Sequence, residues 1–406
     1  MRQLKRGFLF KTIFVILGVG TGLVLGELAL RVIGFSYPEF YQIDFQRGYS
    51  LRPGVSGWYE KEGKAYVEIN SDGLRAREHS IAKPSDTFRI AIIGDSYAEA
   101  FQVPVETAFW SVMEHDLTSC SSTTKKLEVL NFGVSGYGTA QELITLRQHV
   151  WKYSPDIIIL AFTTSNDVTD NSRVLRKTNE VPYFIHENDR LILDDSFKEN
   201  PDFRLRESSL SLVGTWFRDH FRLIQAILEA SRAIRLRLGS LRSPAQPEKT
   251  AAPVKAKDLE LSSKLGLDNL IYVEPESAEW REAWKVTEEL VETMRNEVVA
   301  KGARFLLVTL SNGPQVEPSA ESRTDFMKRF GVTDLFYPDN RIKALGTRDH
   351  FDVLTLAPEM QSYASKNNTI LHGFDENLGS GHWNEAGHHV AGDLLAQKLC
   401  SEGWLK

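Results

Sequence analysis

Short apolar runs alternate with amphipathic helical patterns through much of the chain. The runs at 90–94, 127–130, 157–162, 304–310 and 351–356 have the length and composition of buried strands. Stripes of apolar residues at helical spacing lie between them, and a last amphipathic helix is predicted over 385–399. Strands and helices that alternate with short connections predict a parallel sheet covered on both faces, which is an α/β sandwich of three layers.

The N-terminal pattern is different. The apolar stretch 8–30 is long enough to span a bilayer if Lys11 extends towards the interface. Basic residues at its start predict a cytoplasmic N-terminus and an extracytoplasmic remainder: Arg2, Lys5, Arg6 and Lys11. A cleaved signal peptide is the alternative. No small-x-small site follows the run, and Glu27 and Arg31 favour a continuing helix, so residues 1–34 are interpreted as a cytoplasmic tip and an uncleaved single-pass anchor.

Two further regions complete the predicted organisation. Residues 35–85 form a β-rich lead-in, with a strand pattern at 66–69 and a turn signal at 70–73. Residues 86–406 form the main domain, in which the alternation stops between about 172 and 275.

That insertion predicts a hairpin, a long helix and a linker. The hairpin is expected around 187–189 and a basic amphipathic helix over 208–241. The helix could cap the active-site cleft, which we favour, or lie on a membrane surface. The Pro-, Ala- and Lys-rich stretch 243–257 is typical of a disordered linker.

Polar motifs follow the predicted strands where they end. Gly94-Asp95-Ser96 stands between the first strand and a helix, and open α/β sheets bind ligands at that edge. Three other motifs are expected at the same edge: 131–136 (Asn-Phe-Gly-Val-Ser-Gly), 165–167 (Ser-Asn-Asp) and 381–384 (Gly-His-Trp-Asn). A serine beside the free N–H groups of a helix N-terminus is well placed for acyl chemistry.

Together, and in this order, the four motifs resemble those of the SGNH or GDSL hydrolase superfamily. The resemblance covers residues 86–172 and 300–400 and implies a flavodoxin-like fold. It implies that Ser96 is the nucleophile and His382 the base, with Gly136 and Asn166 joining the Ser96 N–H in an oxyanion hole. Gly136 is preferred to Gly133 because it has the family's spacing from Asn131. The stretch 70–75, Asn-Ser-Asp-Gly-Leu-Arg, is similar to one in membrane-anchored members.

One position departs from the family. Its members usually carry an Asp two or three residues before the His, and here those positions are Ser380 and Gly379. Asp375 or Glu376 could orient His382 instead. A Ser–His dyad held by a backbone carbonyl is the other hypothesis, and we favour it slightly. His388 is a weaker candidate for the base.

The function indicated by the resemblance is ester hydrolysis by a serine esterase. Transfer or removal of O-acyl groups on cell-envelope polysaccharide is the alternative enzyme reaction, and the missing Asp gives weight to a non-catalytic carbohydrate-binding protein. The expected partners are an acyl-ester substrate, such as an acylated glycan or lipid, and the membrane through residues 8–30. A net charge of −6 gives no attraction to nucleic acid. No cofactor or metal is implied, since two cysteines and no His-x-x-x-His with a third ligand are present.

Those two cysteines also predict a disulfide. Cys120 and Cys400 should end the first and last helices of the main domain. These helices pack side by side in a flavodoxin-like sheet, and an extracytoplasmic compartment is oxidising.

Overall fold

The computed structural model describes residues 2–120, 125–240 and 267–405. The strands of this part of the chain are β1 (Tyr41–Asp44), β2 (Gly48–Leu51), β3 (Ser56–Tyr59), β4 (Ala65–Glu68), β5 (Thr87–Gly94), β6 (Lys126–Asn131), β7 (Ile157–Thr163), β8 (Tyr183–Glu187), β9 (Arg190–Asp194), β10 (Arg304–Leu310) and β11 (Asp352–Thr355). Its α-helices are α1 (Arg2–Val32), α2 (Ser96–Glu99), α3 (Phe109–Cys120), α4 (Thr139–Gln148), α5 (Asp167–Asp170), α6 (Arg173–Arg176), α7 (Pro201–Glu207), α8 (Ser209–His220), α9 (Arg222–Ser240), α10 (Ala278–Ala300), α11 (Gly313–Val316), α12 (Ala320–Phe330), α13 (Tyr337–Asp349), α14 (Ala357–Asn367) and α15 (Glu385–Ser401).

A parallel sheet of five strands, in the order β11-β10-β7-β5-β6, confirms the predicted α/β fold. Every residue of β5 and β7 is buried. Both faces are covered, which is why these strands read as continuous apolar runs without alternation. Gly94 pairs in register with Ala161, so β5 and β7 end at the same edge of the sheet.

Helices cover the two faces of the sheet and give the three layers. The apolar sides of α3, α14 and α15 pack on one face with Ile90, Ile92 and Ile159. Those of α4, α10 and α13 pack on the other with Ala91 and Ile93. The odd and even positions of β5 therefore belong to different cores, as expected from a side-chain period of two.

Helices α3 and α15 lie side by side, as the disulfide prediction requires. A Cβ added at Gly392 of α15 would stand 2.6 Å from Val112 Cβ and 2.7 Å from the carbonyl oxygen of Phe109, so the two backbones approach closely. Cys400 is disulfide-bonded. Cys120 is the other cysteine of the sequence, and its side chain lies outside the described residues.

We expect the full-length protein to have no free thiol when freshly isolated. Alkylation without reductant should leave the intact mass unchanged, and alkylation after reduction should add two groups. The disulfide would close most of the chain into one loop, which in the chain-entropy model stabilises the fold by about 5–6 kcal/mol. Two alkylated cysteines without reductant would refute the pairing.

The lead-in consists of two antiparallel hairpins, β1–β2 and β3–β4. The predicted turn at 70–73 is present, with a hydrogen bond of 3.1 Å from the Gly73 N–H to the Asn70 carbonyl. Lead-in side chains share a small core with residues near the serine motif: Phe40, Leu51, Val67, Ile69, Phe101, Val134 and Tyr137. The lead-in thus packs at the active-site end of the domain.

The insertion differs partly from its prediction. The hairpin is present as β8–β9, with Asn188 and Asp189 both at positive φ in its turn. The single long helix predicted over 208–241 is wrong, because α8 and α9 are separated at Phe221, whose backbone is extended. The predicted linker falls within 241–266, outside the described residues.

Helix α4 begins differently from what its local sequence indicates. Its sequence, Thr139-Ala140-Gln141-Glu142, has the pattern of a capping box. Gly138 instead occupies the N-cap position, and no side chain of the box caps the helix. Asn171 Oδ1 accepts the Ala140 N–H at 2.9 Å, so a residue from a later loop satisfies this helix end.

Helix α1 is the N-terminal apolar element. Its segment Phe10–Val32 has a mean hydropathy of 2.2 over its most apolar window and is long and apolar enough to cross a membrane. No part of that window is buried against the rest of the chain.

Candidate active site

Ser96 lies in the sharp turn between β5 and α2. Asp95 is the N-cap of α2, and its Oδ1 accepts the Tyr97 N–H at 3.0 Å. Ser96 is the first helical residue and is 5% exposed. Its N–H therefore belongs to the helix-initial groups that have no partner within the helix.

A chain of hydrogen bonds connects Ser96, His382 and Glu62. His382 Nε2 lies 2.8 Å from Ser96 Oγ, and His382 Nδ1 lies 2.5 Å from Glu62 Oε2. Glu62 Oε1 also accepts the backbone N–H of His382 at 2.8 Å. The two carboxylate oxygens thus fix both the ring and the backbone of His382. With the Nδ1–H directed at Glu62, Nε2 is free to accept a proton from Ser96.

The charges of His382 and Glu62 strengthen the contact between them. Burial by itself would lower the pKa of His382, but the hydrogen bond and negative charge of Glu62 outweigh it and raise that pKa above its usual value. Burial opposes ionisation of Glu62 in the same way, yet the bonds and charge of His382 bring the Glu62 pKa below its usual value. The imidazolium and the carboxylate stabilise each other.

Two glycines make room for the Glu62 carboxylate. Glu62 lies in the connection between β3 and β4, followed by Gly63 at φ +65°. A Cβ at Gly63 would collide with the carbonyl of Gln102. Gly381 has φ +85°, and a Cβ there would collide with Glu62 Oε1. A side chain at either position would displace the acid from the imidazole.

Asp375, the acid suggested by the sequence, is not the group hydrogen-bonded to His382 Nδ1. It begins a short 3-10 helix, Asp375–Asn377, and has a positive φ of 47°. A backbone carbonyl, as in the dyad hypothesis, does not occupy that position either, since Glu62 does.

His388 has a different environment from His382. It is buried within α15, and its Nδ1 accepts the Phe109 N–H at 3.3 Å. Burial lowers its pKa well below the usual value, so the ring is neutral. It accepts a hydrogen bond from the first residue of α3.

Asn166 lies next to the serine turn. Its Nδ2 donates to Asp95 Oδ2 at 2.9 Å, and Thr163 Oγ1 donates to Asp95 Oδ1 at 2.9 Å. Asp95 is fully buried, which raises its pKa despite these donors. An amide nitrogen has two hydrogens, so one can hold Asp95 while the other remains for a ligand. Asp167, the next residue, fixes the loop by accepting the Thr163 N–H at 2.7 Å.

The loop that carries Gly136 is held by Glu99. Gly136 has φ +72°, and the N–H of the preceding Ser135 donates to Glu99 Oε1 at 3.0 Å. Tyr41 of the lead-in donates its hydroxyl to the same carboxylate at 2.9 Å. Burial raises the pKa of Glu99 to about 7. Arg176 binds the Gly136 carbonyl from the other side.

A buried histidine that the sequence motifs did not indicate supports the His382 loop. His372 Nδ1 lies 2.8 Å from the Gly381 carbonyl oxygen, and its Nε2 lies 3.1 Å from Ser311 Oγ. Tyr97 also donates its hydroxyl to the Gly381 carbonyl, at 3.1 Å. Burial lowers the pKa of His372 to about 4, so it acts here as a neutral hydrogen-bonding group.

Arg75, the last residue of the 70–75 stretch, binds the segment that follows the serine. Its guanidinium donates to the carbonyls of Glu99 at 2.9 Å and Val103 at 2.5 Å, and also to that of Ala100. Arg75 is 1% exposed, and burial lowers its pKa to about 10. The lead-in therefore stabilises the end of the nucleophile turn through one arginine.

Metal ligands are not grouped at this site. Among the described residues, no cluster of three or more His, Cys, Asp or Glu side chains could hold a metal ion.

Comparisons with known proteins give structural likenesses only. No family model matches the sequence, and no curated protein matches it. Matching solved structures include the acetylxylan esterase Axe2 from Geobacillus stearothermophilus, with a TM-score of 0.37 and 10% identity over 81% of this chain and 99% of that one. A lipase/acylhydrolase from Enterococcus faecalis matches with a TM-score of 0.33 and 12% identity over 78% and 96%. A putative lipolytic protein of the G-D-S-L family from Desulfitobacterium hafniense matches with a TM-score of 0.32 and 10% identity over 76% and 98%.

These scores are low, and the resemblance rests on this chain's own residues. A serine follows the β5 strand, a glycine loop follows β6, and an asparagine follows β7. A histidine just before the last helix contacts the serine. In this order of motifs and in its central parallel sheet, the chain resembles the SGNH/GDSL hydrolase superfamily.

Proposed function

We propose that this protein is a serine esterase that cleaves O-acyl bonds through an acyl-enzyme, with Ser96, His382 and Glu62 as its catalytic triad. The observation that carries the proposal is the position of His382, between Ser96 Oγ at 2.8 Å and Glu62 Oε2 at 2.5 Å. A base within hydrogen-bond reach of a nucleophile, itself oriented by a third group, is the arrangement that activates a serine.

The first half-reaction acylates Ser96. Its oxygen attacks the ester carbonyl carbon while its proton passes to His382 Nε2. The resulting imidazolium is stabilised by Glu62, which keeps its negative charge. When the tetrahedral intermediate collapses, the carbon–oxygen bond to the leaving alcohol breaks, and that alcohol takes the proton from His382.

The second half-reaction releases the acyl group. His382, neutral again, takes a proton from water as the water oxygen attacks the acyl carbon. Breakdown of this intermediate returns the proton to Ser96 and frees the carboxylic acid. If a sugar hydroxyl attacked in place of water, the same steps would transfer the acyl group to a polysaccharide.

The negative oxygen of both intermediates needs hydrogen-bond donors aimed at the position where the charge develops. We assign this role to the N–H groups of Ser96 and Gly136 and to the second amide hydrogen of Asn166. The Glu99 bond to Ser135 and the Asp95 bond to Asn166 support the assignment, because they fix the loop and the amide in advance. Fixed donors avoid reorganisation when charge develops.

We expect Asn166→Ala to lower kcat for p-nitrophenyl acetate by about 10²–10³-fold, the usual effect of losing one oxyanion donor. Thr163→Val is the matched control, because it removes the other side-chain bond to Asp95 without removing an oxyanion donor. Equal losses in the two variants would show that Asn166 acts through Asp95 alone.

The non-catalytic alternative loses its main support. It drew weight from the absent Asp before His382, and Glu62 supplies a carboxylate for that histidine. Hydrolysis and transfer would use the same triad. An acylated glycan or lipid remains the proposed substrate class.

We propose that α1 anchors the protein in a membrane with the catalytic domain on the extracytoplasmic side. The basic residues before the apolar segment support this orientation. The disulfide state of Cys400 also fits an oxidising compartment.

Purified full-length protein in detergent micelles should hydrolyse p-nitrophenyl acetate with saturation kinetics. Rapid acid quenching should reveal protein that carries one acetyl group, located on the peptide containing Ser96. Adding an acetyl acceptor such as a soluble polysaccharide then separates hydrolysis from transfer. No turnover and no acetylated peptide across several short-chain esters would refute the esterase assignment.

A further inference from the structure

We propose that helices α8 and α9 lie in the surface of the lipid bilayer, with the outward side of α8 embedded among the acyl chains beside α1. This inference rests on the proposed anchoring by α1. It assigns a second membrane contact, which would hold the catalytic domain at a fixed height and orientation above the bilayer.

Helix α8 has its polar and apolar sides reversed relative to a helix on an ordinary soluble domain. Its polar side faces the protein: Arg218 pairs with Glu39 at 2.9 Å and Asp219 pairs with Arg52 at 2.6 Å, both partners in the lead-in. Its apolar side faces outward, and the exposed residues are Leu210 (80%), Leu212 (62%), Val213 (50%), Trp216 (51%) and Phe217 (45%). At helical spacing these five lie in one half of the helix, and the two ion-paired residues lie in the other half.

The composition of that apolar side fits a bilayer surface. Interfacial helices bury leucine, phenylalanine and tryptophan at the boundary of headgroups and acyl chains. Tryptophan favours that level because its ring is apolar and its N–H is polar. Helix α9 continues the surface, with Ile227 63% exposed and Ile234 58% exposed.

The junction of α8 and α9 is attached to α1. Both carboxylate oxygens of Glu27 in α1 accept backbone N–H groups at the start of α9, from Arg222 and Leu223, at 3.0 Å each. Arg31 donates to the carbonyl of His220, the last residue of α8, at 2.6 Å. Two side chains of the apolar helix thus satisfy the free helix ends at the break.

The level of this attachment agrees with an interfacial position. Glu27 stands five residues before Val32, where α1 ends. At 1.5 Å of rise per residue that places the junction about 8 Å on the membrane side of the end of α1. Interfacial helices lie with their apolar side about 5–10 Å into the boundary region. A charged residue in an apolar segment also needs partners, and the start of α9 provides them.

The contacts of α8 and α9 argue against the interpretation, favoured from the sequence, that this region caps the active-site cleft. The polar side of α8 faces Glu39 and Arg52, and Gln225 of α9 accepts the Tyr37 N–H at 2.8 Å. These partners belong to the lead-in that follows α1. A cap would turn its apolar side towards the site, whereas the apolar side of α8 is exposed.

Quenching of tryptophan fluorescence by brominated lipid tests the proposal on the full-length protein. The protein is reconstituted in phosphatidylcholine vesicles with or without phosphatidylcholine brominated on its acyl chains. We expect Trp216→Phe to more than halve the bromine-sensitive part of the emission. Trp151→Phe is the matched control, because Trp151 lies near the opposite edge of the sheet, just before β7, and its loss should leave that part unchanged.

Three outcomes are distinguishable. Loss of the bromine-sensitive emission in Trp216→Phe alone supports the proposal. Unchanged quenching in Trp216→Phe, with the protein still resistant to carbonate extraction, would refute the α8–α9 contact while leaving the anchor intact. Trp216 fluorescence at short wavelength that brominated lipid does not quench would show that protein covers α8, either a second copy or a partner. That result would also refute the proposal.

Discussion

Replacement of Ser96 by alanine should abolish ester hydrolysis and leave the fold intact. In a Ser–His–acid site, loss of the serine lowers kcat by about 10⁶-fold. Stability should be little affected, because the hydroxyl of Ser96 bonds to His382 rather than to the core. The measurements are the rate of p-nitrophenyl acetate hydrolysis and the thermal unfolding midpoint by circular dichroism.

Ser135→Ala is the matched control for that variant. Ser135 lies in the Gly136 loop, and it contacts Glu99 through its backbone N–H, which alanine retains. Its rate should remain close to that of the unmodified protein. Wild-type turnover in Ser96→Ala would show that another group is the nucleophile.

Replacement of Glu62 by glutamine should lower kcat by up to about 10⁴-fold, the loss expected when the acid that sets the histidine tautomer is removed. The amide can donate to His382 Nδ1, which would leave Nε2 protonated and unable to accept the proton of Ser96. Asp375→Asn is the matched control, and its kcat should be unchanged because Glu62 occupies the position beside His382 Nδ1. A large loss in Asp375→Asn with a small one in Glu62→Gln would reverse the assignment.

Glu62→Gln and Asp375→Asn should also differ in how their kcat/KM depends on pH. Only neutral His382 can act as the base, so activity is lost as pH falls through its pKa. Glu62 raises that pKa, which places the acidic limb of the kcat/KM profile at higher pH than a histidine with its ordinary pKa would give. In Glu62→Gln the residual activity should show this limb at lower pH, and in Asp375→Asn the limb should stay where it is.

The chain order of strands and polar motifs was sufficient to predict much of the fold and which candidate residues lie together at one edge of the sheet. Parallel strands bring their carboxyl ends to one edge, so Ser96 after β5 and Asn166 after β7 were expected near each other. In the structure Ser96 directly follows Asp95, and the Asn166 side chain donates a hydrogen bond to Asp95. The common location follows from local patterns and sheet geometry, whereas the roles of these residues are implied by the family resemblance.

Glu62 could not be predicted in this way. It lies 320 residues from His382 in sequence, in a turn of the lead-in that has no motif of its own. The one available signal was negative: Gly379 and Ser380 stand where the family places its acid. Their identity indicated that an acid bonded to His382 would have to come from another part of the sequence. Which acid it is depends on how the lead-in packs against the site.

Two local rules failed for a related reason. Thr139 and Glu142 have the sequence of a capping box, yet Asn171 caps α4 from a later loop. The long helix predicted over 208–241 is divided where Glu27 binds the first N–H groups of α9. In both cases a partner distant in sequence satisfies the helix end, and local pattern carries no information about it.

Covalent labelling by a fluorophosphonate tests the triad most directly, because it requires an activated serine and no knowledge of the natural substrate. We expect the full-length protein to be labelled with time, the modified peptide to contain Ser96, and Glu62→Gln to be labelled far more slowly than Asp375→Asn. Labelling that is absent, or that is found on another residue and unaffected by Glu62→Gln, would contradict the Ser96–His382–Glu62 assignment.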